Sequence, residues 1–170
     1  QEPALYTLDH QSPVIHIESL SKILGPGVRV GYLAAPQPLL NEILKSRRDG
    51  GASTLSAAIV YEYFREQLWE HVDRINAIVK EKRDLMFEML SGYPDAFECF
   101  SRPKGGLFIW VKLPDSTNRV SLEPLAESKH VDYAPGSAFH VHGEDVPYIR
   151  LAFGYASLDQ IQEGIPLLAD

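Results

Sequence analysis

Ser19-Leu20-Ser21-Lys22-Ile23-Leu24-Gly25-Pro26-Gly27-Val28-Arg29-Val30-Gly31-Tyr32 is the run that decides how this chain is read. A β-branched stretch, Val14 to Ser19, leads into it, and another, Val28 to Ala34, leads out. Both are expected to be strands, since branched side chains suit an extended, pleated backbone. Between them Gly25-Pro26-Gly27 imposes a tight turn, because glycine tolerates positive φ while proline fixes its own φ and donates no hydrogen bond. A lysine held on such a turn has little freedom. In partly desolvated surroundings its amine loses a proton more readily and can condense with an aldehyde. Ser19, Ser21 and Arg29 add two hydroxyls and a guanidinium near the same turn, donors that suit a phosphate. Together with Lys22 they suit a phosphorylated aldehyde. They also suit a plain Gly-Pro turn with incidental polar neighbours, and composition leaves both readings open.

Outward from this run, Pro36 and Pro38 close the second strand, and a short helix is expected from about Leu39 to Arg47. Gly50-Gly51 breaks it, and Ser53-Thr54 offers a cap for the next helix, about Leu55 to Gln67. Apolar residues spaced by threes and fours then predict a longer helix from about Trp69 to Leu90, ended by Gly92 and Pro94. Beyond it, Leu107 to Leu113 and Tyr148 to Phe153 read as strands, the latter carrying Arg150, and Ser157 caps a last helix. The expected seam between the two parts falls near Leu68.

Composition narrows the function classes. The 170 residues carry a formal net charge of −7, with 45% hydrophobic and 23% charged residues, the profile of an ordinary globular protein. Acidic residues are spread along the chain, which argues against nucleic acid or an anionic membrane as partner. The single Cys99 allows no internal disulfide and is expected to be buried or idle. No apolar run approaches the roughly 20 residues of a membrane span, and a cytoplasmic setting is expected. His140 and His142 sit two apart without a third ligand, so no metal is expected there. His16 is expected to be a core residue, and His10, His71 and His130 show no pattern. The chain opens at Gln1 rather than Met, as a piece of a longer protein would.

The lysine run closely resembles the signature of class I/II aminotransferases of fold type I: Ser-x-Ser-Lys, a Pro-Gly pair, an arginine seven residues after the lysine, and a Gly-aromatic pair. The resemblance implies that Lys22 is the Schiff-base lysine of pyridoxal 5′-phosphate and that Ser19, Ser21 and Arg29 hold the cofactor phosphate. Tyr6, sixteen residues before Lys22, matches a tyrosine that bonds the cofactor's phenolic oxygen. Pro103 to Trp110 resembles the strand entering the small domain, and Ala134-Pro135-Gly136-Ser137-Ala138-Phe139 the loop at the pocket edge. Tyr148 to Phe153 resembles the strand whose arginine, here Arg150, clamps the substrate α-carboxylate. One position departs: the family's aspartate partner of the pyridine nitrogen falls at Pro3, with Glu2 one residue further out.

The implied fold is α/β. Residues 1–68 would be the C-terminal portion of the large cofactor-binding domain, and residues 69–170 the interdomain helix and a small α+β domain. The implied activity is transfer of an amino group between an amino acid and a 2-oxo acid, in a homodimer whose Ser53 or Thr54 can reach a neighbour's phosphate. The chain is expected to lack its N-terminal half and to be inactive alone. Two alternatives stay open: the cofactor-sensing effector half of a winged-helix transcriptional regulator, and a pyridoxal-phosphate-dependent β-lyase.

Overall fold

The β-branched runs around the lysine form a hairpin. In the computed structural model β1 (His16–Ser19) pairs antiparallel with β2 (Gly31–Ala34), setting Ser19 opposite Gly31 and His16 opposite Ala34. The structure describes residues 3–8 and 14–170; Glu2 and His10 lie outside the described residues. The second strand starts later than its sequence suggests. Pro26–Val28 close a 3-10 turn and Arg29 adopts a left-handed conformation, φ 52°, before the chain extends. Gly31 is required by close approach, since a Cβ there would lie 2.7 Å from the Glu18 carbonyl oxygen across the hairpin.

Three helices complete this part. Tyr6 lies in α1 (Leu5–Leu8), and α2 (Gln37–Ser46) follows Pro36 with Pro38 in its first turn, where a missing N–H costs nothing. Ser53 caps α3 (Thr54–Ser91), its hydroxyl accepting from the Ser56 N–H at 3.3 Å. The expectation of two helices meeting near Leu68 is corrected here: α3 is one helix of 38 residues. Gln67, Leu68 and Trp69 contain no glycine or proline, so nothing breaks the backbone ladder there. Trp69, expected on the apolar face, is 70% exposed.

The chain divides into two compact units, Gln1–Asp73 and Arg74–Asp170, with the boundary inside α3. The second unit is α+β. Its strands are β3 (Cys99–Phe100), β4 (Phe108–Lys112), β5 (Ala134–Pro135) and β6 (Tyr148–Ala152), arranged β3-β4-β6-β5 with every neighbouring pair antiparallel. Two helices accompany them, α4 (Arg119–Ser128) and α5 (Leu158–Ala169). Strand alternation sorts the sheet. Ile109, Val111, Ile149 and Leu151 turn inward to meet Met86 and Leu90 of α3, Ala126 of α4, and Ile161 and Ile165 of α5. Phe108, Trp110, Tyr148 and Arg150 take the other face. Ser157 starts α5 with a reciprocal capping box: its hydroxyl accepts from the Gln160 N–H, and the Gln160 side-chain oxygen accepts from the Ser157 N–H.

Cys99 is exposed and free, where a buried or idle thiol was expected, because its strand has only two residues and lies at the sheet edge. In the first unit, only Val60 and His71 are buried among the described residues. No helix of the described residues is long and apolar enough to cross a membrane.

Candidate functional site

The turn bearing Lys22 is built from backbone hydrogen bonds. The Leu20 N–H donates to the Val30 carbonyl at 3.0 Å and closes the hairpin mouth. The Leu20 carbonyl then accepts from the amides of Ile23, Leu24 and Gly25 at 3.2, 2.9 and 3.4 Å. Lys22 therefore rides on the crown of a compact coil. Gly25 has φ 148°, a conformation open to glycine. Arg29, left-handed without being glycine, stores roughly 1–2 kcal/mol of backbone strain, a feature concentrated at functional sites.

The structure brings Ser19 and Ser21 together. The Ser19 hydroxyl donates to the Ser21 hydroxyl at 3.1 Å and accepts from the Ser21 N–H at 3.3 Å. The Arg29 guanidinium does not join them: it donates to the Pro26 carbonyl at 3.3 Å, and among the described residues it has no hydrogen bond to either serine. Lys22 is exposed, with no hydrogen bond or ion pair among the described residues, so this chain by itself does not supply desolvated surroundings. The nearest acid in sequence, Glu18, is turned to the Ser19 amide at 3.3 Å and to His16 at 3.9 Å.

Tyr6 is partly exposed, its ring 6.0 Å from that of His16, which lies 5.7 Å from Tyr32 on its other side. His16 is accordingly not a core residue. It is half-buried, with the Tyr32 hydroxyl 3.4 Å from its Nε2. Its strand belongs to a two-stranded hairpin, too small to bury both faces.

Arg150 lies in the second unit. Its guanidinium carbon sits 4.0 Å from the centre of the Phe108 ring and 4.4 Å from that of Phe139. Trp110, the register partner of Arg150, stacks on Tyr148 at 5.5 Å and meets Phe139 edge-on. Both rings lie within cation–π distance of the guanidinium. Among the described residues Arg150 forms no ion pair and donates no hydrogen bond. Such a group, flat and uncommitted at its N–H edge, matches a carboxylate.

Sequence reading missed Phe108 as a neighbour of Arg150, although the alternation of β4 could have shown it: Phe108 shares a face with Trp110, opposite Ile109 and Val111. It also passed over His71, whose contacts carry no local sequence signal. His140 comes within 3.7 Å of Glu144, and no group of three metal-ligating side chains is found among the described residues.

A phosphorylated aldehyde fits the first unit on its donor set. Two adjacent hydroxyls, an exposed guanidinium without an acidic partner among the described residues and an exposed primary amine lie within the stretch Ser19 to Arg29.

Known proteins of this construction are recognisable. Over 95% of its length the chain is 34% identical to aromatic-amino-acid aminotransferase 1 of Thermococcus litoralis, covering 40% of that protein. It is likewise 34% identical, over 94% of its length, to the uncharacterized HTH-type transcriptional regulator YdfD of Bacillus subtilis, covering 33% of it. The crystal structure of LysN, the α-aminoadipate aminotransferase of Thermus thermophilus complexed with N-(5′-phosphopyridoxyl)-L-leucine, superposes with a TM-score of 0.84 at 28% identity, over 91% of this chain and 40% of that one. The fold is thus that of fold type I aminotransferases, and the chain spans between a third and two fifths of the length of these relatives, in their C-terminal part. With the family model for aminotransferase class I and II matching residues 2–165, the chain belongs to that family.

Proposed function

We propose that this chain is the C-terminal portion of a pyridoxal-5′-phosphate-dependent aminotransferase that moves an amino group between an amino acid and a 2-oxo acid. The observation that carries the proposal is the pairing of two features inside one family match. Lys22 sits on a turn that follows the paired hydroxyls of Ser19 and Ser21 in the chain and precedes Arg29, and the Arg150 guanidinium lies in contact with the rings of Phe108 and Phe139.

Each residue has a distinct task. Lys22 holds the cofactor covalently through its amine. Ser19, Ser21 and Arg29 bind the phosphate by hydrogen bonds and charge, and Tyr6 orients the ring through its hydroxyl. Arg150 binds the α-carboxylate of the amino acid through two parallel N–H bonds. When bound, the cofactor supplies the electron sink that makes the substrate Cα–H acidic. The released Lys22 amine carries that proton away from Cα as base and returns a proton as acid. At the position of the family's pyridine-nitrogen partner stands Pro3, which has no side-chain acceptor.

Residues 1–68 are assigned to the cofactor-binding large domain and residues 69–170 to the interdomain helix and small domain. The whole protein is read as a cytoplasmic homodimer without nucleic-acid contacts from this chain. These residues alone are expected not to turn over, since Lys22 lies exposed here. The test uses the complete protein: visible absorbance of bound pyridoxal phosphate and transaminase turnover, both lost in Lys22→Ala. Retained cofactor and activity in that variant would refute the assignment.

A second reading is favoured by the match to YdfD, an HTH-type regulator of which this chain covers a third. In that reading the cofactor is a sensed ligand and no amino group need be transferred. Cofactor binding without turnover, together with binding to operator DNA that responds to the cofactor, would select it. Transamination at enzymatic rates would reject it.

A further inference from the structure

His71 is the buried polar residue of the described structure, 7% exposed, and the chemistry above makes no use of it. An imidazole in that setting is costly unless its nitrogens are hydrogen-bonded. Nε2 lies 2.8 Å from the Ile23 carbonyl oxygen, and Nδ1 lies 3.0 Å from the Tyr63 hydroxyl. A carbonyl only accepts, so Nε2 carries the proton, and in the neutral ring Nδ1 accepts from the Tyr63 O–H. Tyr63 meets the imidazole edge-on, at 86°, and the Phe64 ring lies 5.9 Å away, so the ring is held in orientation as well as position.

The acceptor is the carbonyl of the residue directly after Lys22, reached from 48 positions along the chain. Within the turn, one carbonyl, that of Leu20, serves three amides at 2.9–3.4 Å, so the coil's internal bonds share a single acceptor. The His71 contact, at 2.8 Å, ties this coil to α3.

We propose that His71 is a positioning residue for Lys22: by holding the Ile23 carbonyl it fixes the backbone from which the cofactor lysine projects. The proposal deepens the function above and rests on Lys22 being that lysine. His71 itself touches neither cofactor nor substrate.

The test is made in the complete protein with His71→Phe, which keeps a flat ring but removes the donor, and His71→Gln, whose side-chain amide restores an N–H at similar reach. One readout needs no cofactor: amide hydrogen exchange of Ile23, Leu24 and Gly25. Losing the bond to a part-buried carbonyl should raise exchange at these amides about tenfold, leaving α5 unchanged. The second readout is the dissociation constant of pyridoxal phosphate, expected to rise about tenfold in His71→Phe and to return to within about threefold of wild type in His71→Gln. Should His71→Phe fail to fold, Tyr63→Phe, which removes the hydroxyl at Nδ1 and keeps the imidazole and both neighbouring rings, is expected to raise the same exchange rates about threefold. Unchanged exchange in the turn, or faster exchange with unchanged cofactor affinity, overturns the proposal. Lys22→Ala separates the two levels. If that variant binds the cofactor as wild type does, the reading of Lys22 fails; if it loses the cofactor while His71→Phe keeps it, only the role of His71 fails.

Discussion

Replacing Arg150 by lysine keeps the charge and removes the shape. The guanidinium carbon lies 4.0 Å and 4.4 Å from two phenyl centroids, so the group is in cation–π contact with both rings, and a guanidinium presents a planar fork of N–H groups. Lysine places a tetrahedral ammonium there, able to give one strong bond to a carboxylate but not two parallel ones. One charge-assisted hydrogen bond is worth roughly 1.5–3 kcal/mol, so the KM for the amino acid should rise about 10- to 150-fold. Because the carboxylate stays bound throughout the reaction, kcat should change little. Phe139→Ala is the companion: it leaves the charge but removes one ring, and a cation–π contact of roughly 0.5–2 kcal/mol predicts about a 2- to 30-fold rise. The assay is the amino-acid half-reaction in the complete protein, run beside an amine that has no carboxylate. An Arg150→Lys KM within about twofold of wild type, or an equal rise for the amine, would refute the carboxylate role.

Three further predictions concern the second unit. Gly136→Ala drives a Cβ to 2.7 Å from both the Tyr148 carbonyl oxygen and a Val146 methyl, and is expected to destabilise by about 1–3 kcal/mol, read as a lower urea midpoint. An unchanged midpoint would show that the Pro-Gly-Ser loop is not packed as described. His130 stands left-handed, φ 59°, after α4, with its N–H and that of Val131 donating to Glu127 and Ala126. His130→Gly relieves this conformation and should raise stability by about 0.5–1 kcal/mol, visible as a higher melting temperature. Hydrogen bonds from Arg119, and then its charge, hold the Asp145 carboxyl below its ordinary value of 3.8. A lowered native value means that the pair's contribution is complete above 3.8 and lost as pH falls through the native value. The gap in melting temperature between wild type and Asp145→Asn should therefore be flat near neutrality and close in acid; a gap that persists in strong acid would contradict the pairing.

Much of this molecule is legible without coordinates, for identifiable reasons. The Lys22 turn is announced by glycine and proline between branched residues, and α5 by Ser157 with Gln160 three residues on. β4 and β6 announce themselves by dense apolar runs. What escapes sequence reading depends on partners distant in the chain. The two-residue strands β3 and β5 exist only because β4 and β6 offer edges. Pro124 lies inside α4 and hides it, since proline forfeits one helical hydrogen bond that the rest of the helix offsets. The expected division of α3 at Leu68 rests on Trp69 as the start of a new apolar face, whereas the inward positions continue through Val60, His71, Met86 and Leu90. At the candidate site the types of residue are readable but not their pairing. Ser19 with Ser21 is a local contact that spacing suggests; Arg150 with Phe108 and Phe139 requires a sheet and a loop to be folded first.

The contrast in burial between the units bears on where chemistry can occur. The second unit buries a continuous apolar cluster of its own, from Met86 to Leu168, and its Arg150 is already oriented by side chains of that unit. The first unit buries little, and Leu5, Ile17, Tyr32, Leu55, Ile59 and Tyr61 stand exposed on the hairpin and its helices. Large apolar side chains left exposed in such number are what a surface covered by other protein carries. Lys22 belongs to this uncovered unit. The reactivity proposed for its amine calls for a drier environment than this unit supplies, whereas the carboxylate grip proposed for Arg150 draws on side chains of its own unit. The two proposed roles should therefore separate experimentally. The fold of the second unit and the orientation of its arginine should survive in this chain alone, while the lysine should react with pyridoxal phosphate like an ordinary surface amine until the remaining surface is in place.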